Sequence, residues 1–213
     1  MDFLPSLPVI AAFTLAGLVL AMTPGPDMTL FVGRTLSGGR NAGLATLMGA
    51  ATGCTLHTLA AVAGISAVLA ASPAAFWVLK IVGAAYLLWL AFQAVVKGST
   101  FQLEGQERKP ATNLSNYLTG LGINIFNPKV VIFFITFLPQ FVSVDDPHAW
   151  KKMLFLGLYF VLFSTPLMAL LVLIADRMAK TLLENPKLTR VIDWLFGTIF
   201  AAFAARILLT ESR

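Results

Sequence analysis

Six long apolar stretches make up most of this chain. A transmembrane helix needs about 20 consecutive, mostly apolar residues, and each stretch is close to that length or longer. They cover residues 4–22, 42–71, 74–96, 114–141, 153–175 and 191–209. They do not alternate between apolar and polar residues, as the strands of a membrane barrel would. The sequence therefore predicts an all-α membrane protein with six transmembrane helices.

The composition excludes several other classes of protein. Charged residues make up 12% of the chain, about half the share in a soluble domain, and the mean hydropathy is +0.82. Too little polar surface remains for a soluble enzyme, and the chain is too apolar to be disordered. Cys54 is the only cysteine, so no intrachain disulfide can form. The net charge of +5 lies mainly between apolar segments, which indicates orientation in a bilayer rather than binding to nucleic acid.

The loop charges predict an orientation. The connections after the first, third and fifth segments are the more basic, so we expect them in the cytoplasm and both termini outside. No Lys or Arg precedes the first segment, which therefore does not resemble a cleaved signal peptide. If the first or last segment does not span, five helices remain and one terminus changes side. The odd connections contain Arg34, Arg40, Lys97, Arg108, Lys109, Arg177, Lys180, Lys187 and Arg190, and the other side contains Lys151, Lys152, Arg206 and Arg213.

Proline interrupts the apolar pattern at two places. The first is Thr23-Pro24-Gly25-Pro26-Asp27, where two prolines bracket a glycine and no continuous helix can pass. The second is Asn124-Ile125-Phe126-Asn127-Pro128-Lys129, inside the fourth segment. Here we expect Asn127 to cap a half-helix that begins at Pro128. Broken helix ends in a membrane must line a cavity or be buried in protein, so both breaks are candidate binding elements.

The two breaks also predict an internal repeat. Aligning Pro26 with Pro128 places each break in the first helix of a three-helix unit. A repeat with an odd number of spans must invert in the membrane, and many transporters bind substrate where such units meet. We therefore expect two inverted three-helix halves, residues 1–96 and 113–213, joined by a polar linker at 97–112, in a single transmembrane domain.

The alignment pairs Asp27 with Lys129, and each is a charge beside apolar sequence. A charge at the bilayer centre is unfavourable by roughly 3 kcal/mol on insertion scales. Asp27 has an ordinary interpretation as a helix cap, and Lys129 as a side chain that reaches the interface. The functional interpretation is that both breaks converge on one polar site. There Asp27 binds a substrate ammonium or a coupling proton, and Lys129 pairs with Asp27 or holds a substrate carboxylate.

The remaining polar residues leave alternatives open. His57, within the second segment, is either a proton relay or a neutral packing group. Two stripes of small residues, Gly49-x-x-x-Gly53 and Gly197-x-x-x-Ala201-x-x-x-Ala205, indicate either helix packing inside the bundle or a homodimer face. We expect Cys54 to be a packing residue. Ser164 and Thr165 are expected to join helices, with a kink at Pro166.

The sequence contains no pattern typical of an enzyme or a cofactor site. There are two histidines and one cysteine, with no spacing typical of a metal site. There is no phosphate-binding G-x-x-x-x-G-K-[ST] loop, and no nucleophile–base set can be assembled. We therefore expect neither catalysis nor a cofactor.

The ordered motifs resemble the lysine exporter (LysE/RhtB) family of amino-acid translocators over nearly the whole chain. Four runs carry the resemblance: Ala21-Met22-Thr23-Pro24-Gly25-Pro26-Asp27; Gly33-Arg34 with Gly38-Gly39-Arg40-Asn41-Ala42-Gly43-Leu44; Lys80-Ile81-Val82-Gly83-Ala84-Ala85-Tyr86-Leu87-Leu88-Trp89-Leu90-Ala91; and Gly120-Leu121, Asn124, Asn127-Pro128-Lys129, Phe133-Phe134 and Phe137-Leu138-Pro139-Gln140-Phe141.

This resemblance implies a secondary transporter of the bacterial inner membrane. Such a protein exports small amino acids or close derivatives, and this chain looks closest to the threonine/homoserine type. The resemblance also implies that the proton-motive force drives export. The alternatives are an exporter of another small solute or cation, and a membrane scaffold subunit. The site predicted from the residues consists of Pro24, Gly25, Pro26, Asp27, Asn124, Asn127, Pro128 and Lys129, with His57 as the proton relay.

Overall fold

A computed structural model describes most of four of the predicted segments. The described residues are 4–23, 25–71, 111–143 and 146–175, with isolated helical positions between 78 and 96 and between 187 and 205, and Asn185. Most of the third and sixth segments, most of the linker and Pro24 lie outside the described residues. Within the described part every regular element is helical, which confirms the all-α prediction at that level.

Five α-helices occupy these ranges. They are α1 (Leu7–Met22), α2 (Pro26–Ala71), α3 (Asn113–Phe126), α4 (Pro128–Ile132) and α5 (Ala149–Leu173). After α4 the chain continues as a π-helical turn, Phe133–Phe137, and a 3₁₀ turn, Leu138–Phe141.

Among the described residues, two helical stretches are long and apolar enough to cross a membrane, Pro26–Gly64 and Ala149–Leu173. A third span results if Asn113–Phe126 and Pro128–Phe141, which meet at 55°, are one broken span. Helix α1 has 16 residues, which at 1.5 Å each is about 24 Å, less than a hydrocarbon core of about 30 Å. The count of six spans and the inverted repeat stay predictions.

The connection predicted after the first segment is largely helical. Helix α2 starts at Pro26 and includes Arg34 and Arg40, which the sequence placed in a loop. Helical backbone is interrupted within α2 at Gly39, whose φ is 80°. Glycine adopts this angle without a steric penalty, so the chain turns a corner there and resumes as a helix toward Ala71.

Small residues bring α2 and α3 into backbone contact. A Cβ atom on Gly49 would lie 2.0 Å from the carbonyl oxygen of Tyr117, and one on Gly120 would lie 2.0 Å from that of Thr46. Only glycine permits this approach. The stripe that begins at Gly49 therefore packs against α3 inside the chain. In the second stripe Gly197 lies outside the described residues, whereas Ala201 is half-buried and Ala205 is exposed.

Two apolar clusters hold the helices together. The first joins α1, the π-helical turn and α5, and includes Phe13, Phe133, Phe134, Phe137 and Phe160. The second joins both parts of α2 to the end of α5, and includes Met28, Phe31, Leu47, Met168 and Leu171. The candidate site lies between these two clusters.

The connection from Phe141 to α5 is held by a local charge cluster. The Asp146 carboxylate accepts a hydrogen bond from Lys152 Nζ and another, at 2.8 Å, from the backbone N–H of His148. The hydrogen bond from Lys152 is the main cause that lowers the pKa of Asp146 below its usual value of 3.8. This cluster lies at the start of α5, which contains Lys152, and not at either break.

Candidate functional site

The two proline breaks begin helices in the same way. Pro26 and Pro128 each stand at a first helical position, where the N–H that proline lacks is not needed. Ahead of them, the carbonyl oxygens of Gly25 and Asn127 each accept an N–H bond from four residues later, at 3.0 Å. The Asn127 side chain also accepts a bond of 3.1 Å from the backbone N–H of Lys129. The predicted cap at Asn127 is confirmed.

Asp27 is oriented by Asn124 from the opposite break. Its Oδ2 accepts a hydrogen bond of 2.9 Å from Asn124 Nδ2, and its Oδ1 is buried without a hydrogen-bond partner. Asn124 is itself 1% exposed and also contacts the Cys54 sulfur, at 3.6 Å from Nδ2. Asp27 is therefore not the cap of α2, since Gly25 holds that position. Its carboxylate keeps one acceptor atom free.

Lys129 reaches the C-terminal end of α1. Its ammonium donates to the carbonyl oxygens of Leu20, at 3.0 Å, and Thr23, at 2.8 Å. The last four carbonyls of a helix have no partner inside the helix, and a cation is favourable there. Among the described residues the ion pairs involve Asp146, and none joins Asp27 to Lys129. The cation is thus held by backbone oxygens rather than by the carboxylate.

Gly25 leaves room for this arrangement. A Cβ atom on Gly25 would lie 3.3 Å from Lys129 Nζ and 3.7 Å from Cε. The lysine side chain therefore passes against the backbone of the first break, and the glycine in that break is in direct contact with the second.

A cavity of about 70 Å³ opens beside these charges. One water molecule needs roughly 10–15 Å³ on the same measure, so the cavity can hold several water-sized groups. One part of its wall is polar, and the rest is formed mainly by the side chains of both apolar clusters. The polar residues are Thr23, Asp27, Cys54, Asn124, Lys129, Ser164 and Thr165. The large apolar residues include Leu20, Met28, Phe31, Leu47, Phe160 and Met168.

The predicted site residues take different places around this cavity. Asp27, Asn124 and Lys129 line it, whereas Asn127 and the two prolines shape the helix starts. Pro24 lies outside the described residues.

His57 stands behind Asn124. Its Nε2 lies 3.3 Å from the Asn124 carbonyl oxygen, and its ring stacks on Phe134 at 5.9 Å between centroids. It is not among the residues that line the cavity. A proton relay through His57 stays a prediction.

Four polar residues of the cavity were not among the predicted site residues. Thr23 contributes its backbone carbonyl, which no sequence pattern reports. Cys54, Ser164 and Thr165 were assigned to packing, yet all three face the cavity. Ser164 and Thr165 directly precede Pro166 inside α5, and hydroxyl residues beside an intrahelical proline are a signal that could have identified them.

Metal binding has no support in the part of the chain that the structure describes, where no three His, Cys, Asp or Glu side chains form a group. The arrangement instead offers one carboxylate, one ammonium, an amide and the helix-end carbonyls that the ammonium binds, within an apolar enclosure. Such a set can recognise a small solute that carries both charges.

Comparison with known proteins places the chain in one family. The family model described as LysE type translocator matches residues 18–211. The chain is 29% identical over 196 residues to the uncharacterized membrane protein YrhP of Bacillus subtilis, covering 88% of this chain and 92% of that protein. It is 28% identical over 202 residues to the leucine efflux protein of Klebsiella pneumoniae, covering 94% of each. An uncharacterized membrane protein of Vibrio cholerae is 28% identical over 198 residues, covering 89% of this chain and 91% of the relative. No solved structure matches.

Proposed function

The chain belongs to the LysE type translocator family, and we propose that it exports neutral amino acids from the bacterial cytoplasm. The membership makes it a membrane transporter. The amino-acid substrate is supported by the Klebsiella relative, which is named for leucine efflux, and by the chemistry of the cavity.

The observation that carries the proposal is the pair of opposite charges at the helix breaks. Asp27 presents a free carboxylate oxygen and Lys129 an ammonium, and both line the same cavity. An amino acid is a zwitterion, so each of its two charged groups finds a partner of opposite sign there. Charges in a membrane interior are unfavourable unless they bind a substrate or pair with each other. Asp27 and Lys129 form no direct ion pair.

The residues that line the cavity indicate which substrate side chains would fit. Met28, Phe31 and Leu47 suit an aliphatic side chain such as that of leucine, while the hydroxyls of Ser164 and Thr165 suit one with an oxygen. The second set supports the threonine/homoserine type indicated by the family resemblance. We propose neutral aliphatic and hydroxylated amino acids as the substrate class.

The driving force and architecture belong to the same proposal. We propose that the proton-motive force drives export across the bacterial inner membrane, with Asp27 and His57 as the candidate proton carriers. The like construction of the breaks at Pro26 and Pro128 supports inverted three-helix halves.

Efflux from proteoliposomes tests the function. Vesicles preloaded with labelled leucine, threonine or homoserine should release at least one of them faster than protein-free vesicles. An imposed pH gradient should change that rate. Asp27→Asn should slow efflux by about tenfold or more, since it removes a charge whose interaction is worth at least about 1.4 kcal/mol.

Asp146→Asn is the matched control, because it removes a carboxylate that does not line the cavity. Equal efflux from Asp27→Asn and wild type would refute the site. Release of other small solutes or cations without any amino acid would favour the alternative substrate class.

A further inference from the structure

Lys129 occupies a place that fits a primary ammonium of any origin. Two carbonyl oxygens at the end of α1 receive its N–H groups at 2.8 and 3.0 Å. An ammonium has three N–H donors, and helix-end carbonyls carry partial negative charge. The α-ammonium of an amino acid has the same donors and the same charge.

The same cavity contains a carboxylate oxygen with no hydrogen-bond partner among the described residues. Asp27 Oδ1 is buried and unpartnered, although Oδ2 is held by Asn124. A buried carboxylate oxygen without a partner is rare in folded proteins. Asp27 lines the same cavity as Leu20 and Thr23, which carry the two carbonyls.

We propose that Lys129 is a tethered competitor for the substrate's ammonium, an inference that rests on the proposed function. In the empty carrier its ammonium covers the carbonyls of Leu20 and Thr23. When an amino acid binds, the substrate ammonium takes these carbonyls and Asp27. The displaced Lys129 ammonium then moves onto the substrate carboxylate.

The Lys129 side chain is able to make this movement. Lysine carries its charge on a flexible four-carbon stem, and Gly25 beside it has no side chain to hold it in place. In both positions the ammonium has oxygen partners, and in both the α1 carbonyls are covered. Neither of these two carbonyls is then left without a partner in a membrane interior, where an unsatisfied backbone group is unfavourable.

The competition has a measurable consequence. When a ligand binds only to a vacant site, its apparent affinity equals its intrinsic affinity multiplied by the fraction of time for which the site is vacant. If Lys129 covers the carbonyls about nine-tenths of the time, its removal should raise affinity for a free ammonium about tenfold.

Methylammonium is the probe, because it has an ammonium and no carboxylate. Purified full-length Lys129→Ala should gain thermal stability with increasing methylammonium, with an apparent Kd at least about tenfold below that of wild type. Tetramethylammonium, which has the charge but no N–H donor, should give no such gain. Lys151→Ala, which removes an exposed lysine outside the cavity, should behave as wild type.

A purely structural role for Lys129 gives a different result. It predicts a less stable Lys129→Ala protein that responds to methylammonium as wild type does, and this outcome would overturn the proposal. If Lys129→Ala is too unstable to purify, methylammonium added throughout purification should restore the yield, and failure of that rescue also counts against it. Absence of amino-acid efflux from wild type, together with the methylammonium response, would reject the proposed function and leave the ammonium site intact.

Discussion

Asn124→Ala removes the side chain that joins the two breaks. Asn124 Nδ2 donates at 2.9 Å to the Asp27 carboxylate, and a hydrogen bond to a charged group contributes about 1.5–3 kcal/mol. The His57 contact is made by the backbone carbonyl of Asn124, so it survives the substitution. Water from the adjoining cavity can replace part of the lost hydrogen bond. The expected loss of free energy is therefore closer to about 1.5 kcal/mol than to about 3 kcal/mol. The free energy converts to a factor of about 10 to 150.

The assay is efflux of labelled amino acid from proteoliposomes at several internal concentrations. We expect the amino-acid concentration for half-maximal efflux to rise by a factor near the lower end of this range, about tenfold. The reason is that Asp27 is no longer oriented toward the cavity. Asn116→Ala is the matched control. Asn116 is also 1% exposed and on α3, but it makes one weaker bond, of 3.4 Å, to the Ala111 carbonyl, and it does not line the cavity. An equal rise in the half-maximal concentration for Asn124→Ala and Asn116→Ala would refute the role given to the Asn124–Asp27 hydrogen bond.

Three further predictions concern the surroundings of the site. Gly25→Ala places a Cβ 3.3 Å from Lys129 Nζ, so the ammonium must shift, and efflux should fall severalfold in the same vesicles while the melting temperature changes little. Gly49→Ala forces a side chain into the backbone of α3 and should destabilise the protein by about 1–3 kcal/mol or more, whereas Gly64→Ala, which meets nothing within 4 Å, should not; thermal unfolding compares them. Asp146→Asn should lower stability at neutral pH, because a lowered pKa in the folded state stabilises above the unfolded value of 3.8. Unfolding measured against pH should show that difference disappearing as pH falls below 3.8 through the lower folded pKa, and a constant difference would contradict it.

The breaks themselves were predictable because local chemistry decides them. Proline cannot continue a helix, and an asparagine before Pro128 has few better places than a cap. The pairing of the two breaks followed from a weak alignment, yet the structure brings Asp27 and Lys129 to one cavity. The scarcity of charge in apolar sequence was the useful signal there.

The partners of these charges were not predictable. Lys129 binds carbonyl oxygens, and every residue carries one, so the sequence cannot mark which of them are left free at the end of α1. The sharp turn within α2 at Gly39 was not predictable either. A glycine pair beside two arginines is typical of a loop, but only one residue takes a positive φ, and the helix resumes directly after it.

The contacts across the breaks are reciprocal, and this bears on how the cavity could alternate between the two sides. Lys129, from the second break, holds the end of α1, while Asp27, from the first break, is held by Asn124 near the end of α3. Any motion of one break relative to the other must therefore disturb both contacts together. In the mechanism proposed above, a zwitterion substitutes for both contacts, since its ammonium can take the α1 carbonyls and Asp27 while its carboxylate takes the lysine. A solute with only one charge restores only one contact, so it should bind without releasing the pair of breaks.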